Sequence, residues 1–293
     1  MSDNNNSSSD VSRRNFLLGA GAGALGLAAA SCAPATGGSG TSDQDTEARL
    51  DRVLRNGVLK VGADLTFPPL QFRDPATNEP KGLCPEIDAQ MAADLGVDLE
   101  YVEMPFGELI AGLLADQFDW IGIAHTSTPA RAQQVLFVDE PTFFEDSYLI
   151  LKKGFKFDKL TDLNDSGVTF SNMSGSAQDT SARLMFPNAT FKPLEHPATL
   201  LEVAAGKSDV CLIALWDAAP YLHENPGTVD IWEGGSLFSD VNTYFVPSGD
   251  QKTVEWMGTW YRYYAAHQWI QTRLDHWMAE VPGVSALQAA TSR

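Results

Sequence analysis

Val58-Leu59-Lys60-Val61-Gly62-Ala63 is a short run of mostly branched, apolar side chains closed by Asp64, and it reads as a β-strand. Residues 85–95 come next with Ile87, Met91 and Leu95 on one helical face, and residues 99–102 form the next apolar strand. A strand, a helix and a second strand in that order imply a crossover connection, and hence an α/β body with mostly parallel sheets. Outward from this unit, residues 106–114 predict a helix with Leu109, Leu113 and Leu114 inward, and residues 120–124 a buried strand. A second series begins at Gly167, with a strand at 168–170, a helix near Ser176, a helix over 200–205 and a strand over 209–215. Two extended segments, 148–153 and 243–246, separate the series. They read as strands by which the chain crosses into a second lobe and later returns, so lobe 1 comprises 50–150 plus 245–293 and lobe 2 comprises 151–244. Residues 250–278 carry Val254, Met257, Tyr261 and Tyr264 at helical spacing and are expected to pack back on the body.

The first 31 residues belong to a different physical class. Arg13 and Arg14 precede an uncharged Leu, Ala and Gly stretch over 18–30, the order of parts in a twin-arginine export signal. The stretch is too short and glycine-rich for a stable spanning helix. Ala29-Ala30-Ser31-Cys32 resembles the lipobox of bacterial lipoproteins, whose cysteine receives a diacylglycerol; leucine is usual three places before that cysteine, where this chain has Ala29. Residues 32–49 then read as a flexible linker rich in small residues. A membrane tether through Cys32 and an extracytoplasmic location are the resulting expectations.

The formal net charge of −18 opposes binding to phosphate backbones and makes nucleic acid an improbable partner. Of the cysteines left after Cys32, Cys211 lies in an apolar run and is expected to be a buried free thiol, while Cys84 falls in another part of the fold. Five histidines stand at 125, 196, 223, 267 and 276 without paired ligand spacing, and the glycines of 19–26 belong to the export signal. No cofactor and no metal are expected.

The order of motifs resembles the family 3 extracellular solute-binding proteins, the amino-acid-binding components of ATP-driven importers. The resemblance runs from about Gly57 to Trp277. It rests on the strand and Pro-Pro loop Asp64-Leu65-Thr66-Phe67-Pro68-Pro69, the Gly-rich turn Lys81-Gly82-Leu83-Cys84-Pro85-Glu86-Ile87-Asp88, and above all on Ala124-His125-Thr126-Ser127-Thr128-Pro129-Ala130-Arg131 before Val135-Leu136-Phe137-Val138. It implies a two-lobed periplasmic-binding-protein-like (type II) fold with two hinge-crossing strands, no catalysis, a small amino acid or organic acid as ligand, an ABC transporter permease as partner, and a monomer.

The chemistry of an amino acid explains the residue types. Its carboxylate needs a planar, bidentate donor, which Arg131 offers and a lysine does not. Thr126 and Thr128 come directly after a buried strand, where ligands of α/β sheets bind; Thr128 equally serves as the cap of a helix starting at Pro129. Gly175 and Ser176 fall where the family places a helix start whose free N–H groups bind the carboxylate, or else form a plain loop and N-cap. Asp64 is a candidate acceptor for the ammonium or a turn residue, and Phe67 and Phe106 are candidate aromatic walls. The family's second-lobe aspartate is missing in an ungapped alignment, which gives Ala214; Asp217, three residues on, is either its substitute or the N-cap of the next helix. Cys84-Pro85-Glu86 departs from the family's aspartates, and His125 and Trp216 are unusual beside the cleft. An alternative on the same fold is a cyclohexadienyl-dehydratase-like enzyme, which eliminates water and carbon dioxide from a prephenate-like acid and needs a general acid, with Glu86, Asp217 and His125 the candidates.

Overall fold

A computed structural model describes residues 47–284. The export signal, Cys32 and the linker up to residue 46 lie outside the described residues. Strand Val58–Ala63 occupies the middle of a three-stranded parallel sheet, between Asp98–Glu103 and Trp120–Ile121. Helices cover this sheet, which is why Leu59, Val61 and Ala63 are all fully buried. Helix Leu83–Leu95 supplies one cover and buries Leu83, Ile87 and Met91, while Leu95 stays half-buried. The helix stops at Gly96, whose φ of 68° closes its last turn as only glycine does freely.

The expected helix over 106–114 is present. It opens as a 3-10 turn, Phe106–Glu108, and continues as the α-helix Leu109–Leu114. At about 100° per residue Leu113 falls close to Leu109 on the helix surface and Leu114 well away from it, so Leu109 and Leu113 are buried while Leu114 is 44% exposed, correcting its inward assignment. Residues 120–124 are buried throughout, yet only Trp120–Ile121 pairs as a strand. At Gly122 the chain runs hard against Val61 and the Asp88 carboxylate, at distances no side chain tolerates. It then bends and re-enters a sheet at His125–Thr126.

That second sheet has seven strands and is built on Phe143–Lys152. This ten-residue strand pairs antiparallel with Val210–Ala214 over its later half and with Phe238–Thr243 over its first half. Beyond Val210–Ala214 lie Thr169–Met173 and Thr190–Leu194, which are parallel to each other. Beyond Phe238–Thr243 lies His125–Thr126. Strand Phe245–Pro247 pairs instead with Val135–Phe137, against the first core. Two strands thus link a body around Val58–Ala63 to a body around Thr169–Met173, and the apolar cores of the second body are separate clusters of their own.

The C-terminal segment is two helices rather than one, Gln251–Ala266 and Trp269–Glu280, broken at Gln268 with φ 56°. Met257 and Tyr261 nevertheless pack into the first core as the spacing predicts, Val254 and Tyr264 lie half-buried against it, and Trp260 joins them. Cys84 and Cys211 are both buried free thiols.

Candidate functional site

The two bodies face each other across a cavity of about 40 Å³, lined from both sides. Room for one water takes roughly 10–15 Å³, so about three waters fit, and an amino acid enters only if the walls part.

Arg131 opens the short turn Arg131–Gln133 just past the Thr126 corner. One guanidinium nitrogen, Nη1, donates to the Thr126 carbonyl at 2.9 Å. The other, Nη2, reaches across and donates to the Gly175 carbonyl at 3.0 Å. Burial pushes the guanidinium down to about 10 against the opposing pull of the Glu145 and Asp240 carboxylates, so it remains a cation at neutral pH. Thr126 is buried and lines the cavity, its hydroxyl donating to Asn242 Oδ1 at 3.3 Å. Thr128 accepts the Arg131 backbone N–H at 3.2 Å and so holds the turn that presents the guanidinium.

Gly175 and Ser176 form the facing wall. Gly175 has φ 74°, and a Cβ there would stand 3.3 Å from the Gly107 Cα of the other body. Ser176 is the N-cap of helix Ala177–Met185: its hydroxyl accepts the Asp179 N–H at 3.0 Å, and its own N–H donates to the Met173 carbonyl at 3.1 Å. Its polar atoms are therefore engaged in the loop, and it is the next residues, Ala177 and Gln178, that line the cavity. First-turn amides have no intrahelical acceptor, which makes this helix start a donor for an anion.

Phe67 and Phe106 line one side, ring centroids 5.7 Å apart. His125 stacks behind Phe106 at 4.5 Å, and His196 of the second body lies against Phe67 at 4.3 Å. Asp64 is engaged otherwise than as an ammonium acceptor: its carboxylate takes the Phe106 N–H at 2.8 Å and the Thr66 hydroxyl at 2.7 Å, and so fixes the aromatic wall. Asp64 faces an adjoining hollow that it shares with His196.

Asp217 does line the cavity. It sits inside the first turn of helix Leu215–Glu224, whose N-cap position is Ala214, so the N-cap reading of Asp217 is corrected. Burial, reinforced by the Glu145 charge, raises its carboxyl to about 8. His196 Nε2 is 3.7 Å away, and burial lowers that imidazole, so the two meet as neutral groups at neutral pH rather than as an ion pair.

Glu145, Gln178 and Asn242 line the cavity without any assignment from the sequence. Glu145, on the long crossing strand, accepts Trp216 Nε1–H at 2.9 Å and Gln178 Nε2–H at 2.9 Å. Burial raises its carboxyl as well. Gln178 also reaches the Ser147 hydroxyl at 3.2 Å, and Asn242 completes the wall. The signal available for Glu145 is an acidic pair, Glu145-Asp146, interrupting an otherwise apolar strand.

Residues 59–280 match the model of the bacterial extracellular solute-binding proteins, family 3. The chain belongs to that family. Among curated relatives, it is 26% identical over 186 residues to the "Probable histidine-binding protein" of Campylobacter jejuni, covering 62% of this chain and 71% of that one. It is 21% identical over 240 residues to the cyclohexadienyl dehydratase of Pseudomonas aeruginosa, covering 80% and 88%. The crystal structure of a cysteine-binding protein from Campylobacter jejuni superposes with a TM-score of 0.72 at 20% identity, over 81% of this chain and 95% of that one. The fold is accordingly the two-lobed type II arrangement, with two strands crossing between the lobes.

Proposed function

We propose that the protein captures a small amino acid outside the cytoplasm and delivers it to an ABC importer. The observation that carries this reading is Arg131, a half-buried guanidinium bonded across the cleft to Gly175, with a helix start on its far side and half-buried carboxylates opposite. A zwitterion matches that layout: its carboxylate faces the cation and the first-turn amides, and its ammonium faces Asp217. The lobes of 50–150 plus 245–293 and of 151–244 part to admit it and close over it by bending at the two crossing strands, since the present cavity is too small for an amino acid. Export through the twin-arginine signal and a lipid on Cys32 would keep a monomeric protein at the membrane beside its permease. The test is calorimetric titration of the lipid-free body with the common amino acids and small organic acids. Stoichiometric heat from an amino acid, lost in Arg131→Ala, is the expected result; heat unchanged by that substitution would remove Arg131 from the site.

A second reading has one observation in its favour. Asp217, with its carboxyl held near 8, is protonated at neutral pH, as a general acid for a dehydratase must be. Incubation with prephenate and chromatography of the mixture separates the readings, since a binder leaves the acid intact.

A further inference from the structure

The register of the two crossing strands sets Glu145 directly opposite Asp240, so both carboxylates stand on one face of the sheet. Asn242 shares that face, two residues from Asp240, and together with Glu145 lines the cavity. Like charges directly opposite each other destabilise an antiparallel pair unless a cation lies between them. The cation at hand, Arg131, gives its Nη1 and Nη2 hydrogen bonds to carbonyls rather than to either carboxylate. One polar group on this face is left wanting: Asp240 Oδ2 is buried without a hydrogen-bond partner.

The charges around the cavity do not balance for a plain zwitterion. Glu145 and Asp240 act on one guanidinium, Asp217 keeps its proton until about pH 8, His125 and His196 are kept neutral by burial, and Asp64 adds a further carboxylate next door. Cys211, behind Asp217, is held as a neutral thiol, pushed up to about 12 by burial. A neutral zwitterion brings one positive and one negative group and leaves the excess of carboxylates as it was. A ligand with a second cationic group removes part of it.

We propose that the ligand is an amino acid with a positively charged side chain, an ammonium or guanidinium, and that the cross-strand pair selects it, Glu145 from the cavity wall and Asp240 from the facing position on the next strand. This rests on the amino-acid reading above and adds a specificity determinant on the crossing strands. Because the pair lies on the strands that bend, a cation held there would also favour the closed arrangement.

Arginine and citrulline have nearly the same shape and differ by the side-chain charge, so their dissociation constants at pH 8, measured on the lipid-free body, isolate the effect. Arginine is expected to bind at least about tenfold more tightly. The ratio should fall towards unity in Glu145→Gln. Asp240→Asn should lower it too while leaving the Trp216 and Gln178 bonds to Glu145 in place, which keeps the test open if the first variant fails to fold. Equal affinities in the wild type, or a preference for arginine that survives both substitutions, would overturn the assignment and leave the amino-acid reading standing. Absence of heat with every amino acid would instead sink the reading on which it rests.

Discussion

The contact between Gly107 and Gly175 offers a direct test of closure. Gly107 lies in the turn at the start of the first lobe's short helix, with no positive φ to penalise a side chain. A Cβ built on it would stand 3.4 Å from the Ser174 carbonyl oxygen, an ordinary contact. Gly107→Ala should therefore bind ligand within about twofold of wild type. Leucine adds three more carbons in the space that the loop at 174–175 occupies when the walls meet. Overfilling a packed contact costs about 1–3 kcal/mol. If the contact exists only in the closed, liganded form, that cost falls on binding alone, a loss of roughly 5- to 150-fold in affinity. The unliganded protein should keep its melting temperature, because an open cleft leaves the side chain in solvent. Gly175→Ala is the contrast: with φ 74° it carries about 1–2 kcal/mol of backbone strain whether the cleft is open or shut, so it should lower the unliganded melting temperature. Calorimetric titration and thermal unfolding of the three variants give the answer. A Gly107→Leu protein that binds as tightly as wild type would refute closure through this contact.

Arg131→Ala should weaken binding by about 2–5 kcal/mol in the same titration, since the ligand carboxylate is then buried unpaired; Arg131→Lys should not restore it, because a single ammonium cannot bridge Thr126, Gly175 and a carboxylate in one plane. With the Asp217 carboxyl near 8, a ligand cation has to displace its proton, so affinity should fall as pH drops below 8, by up to about tenfold per unit, and a flat profile between pH 6 and 9 would exclude Asp217 as the ammonium acceptor. In the ligand-free protein the same shift has the opposite consequence for stability: the fold holds a proton that the unfolded chain releases near 3.8, so stability is lost as pH rises from about 4 to 8, and Asp217→Asn should flatten that slope in melting curves. Asp88, fully buried with Tyr101 and Tyr244 hydroxyls at 3.2 and 3.3 Å, has its carboxyl raised well above the usual range and is neutral, so Asp88→Asn should match or exceed wild-type stability at pH 8; a loss above about 2 kcal/mol would show that the ionised form is required.

The elements legible in the sequence are those that short-range pattern controls. The strand at 58–63, the helix that buries Ile87 and Met91, and the Thr126 to Arg131 corner depend on residues within one element, and local periodicity suffices to place them. Leu114 reads as inward for being apolar, although in the α-helix Leu109–Leu114 it falls about 140° from Leu109, outside the face that packs on the sheet. The other failures have a common physical origin. The stretch 120–124 stops pairing beyond Ile121 because the chain turns to join the second sheet at His125–Thr126, whose partner strand lies more than a hundred positions later. Glu145 and Asp240 share a face only because their strands, nearly a hundred positions apart in the chain, pair in the one register that sets them opposite, and a slip of one residue would put them on opposite faces. His196 reads as one of several scattered histidines, since nothing in its neighbourhood predicts that a loop of the second lobe lays it on Phe67.

The raised carboxyls do not by themselves distinguish a binder from a dehydratase, because burial next to another carboxylate produces them in either case. The difference lies in what the cleft must neutralise. A prephenate-like acid carries two carboxylates and no cation. It would enter a cavity lined by Glu145 and the protonated Asp217, with Asp240 close enough to act on the one guanidinium, in a chain of net charge −18, and each step inward would be opposed by that field. Glu145 is further held by Trp216 and Gln178, two donors that stabilise its ionised form and work against its giving up a proton to a leaving group. A cationic or zwitterionic guest reverses both effects: the field draws it in, and its positive charge restores the ionised carboxylates that burial had suppressed. The cavity is therefore better matched to holding a positive charge than to delivering a proton, and that favours capture over chemistry.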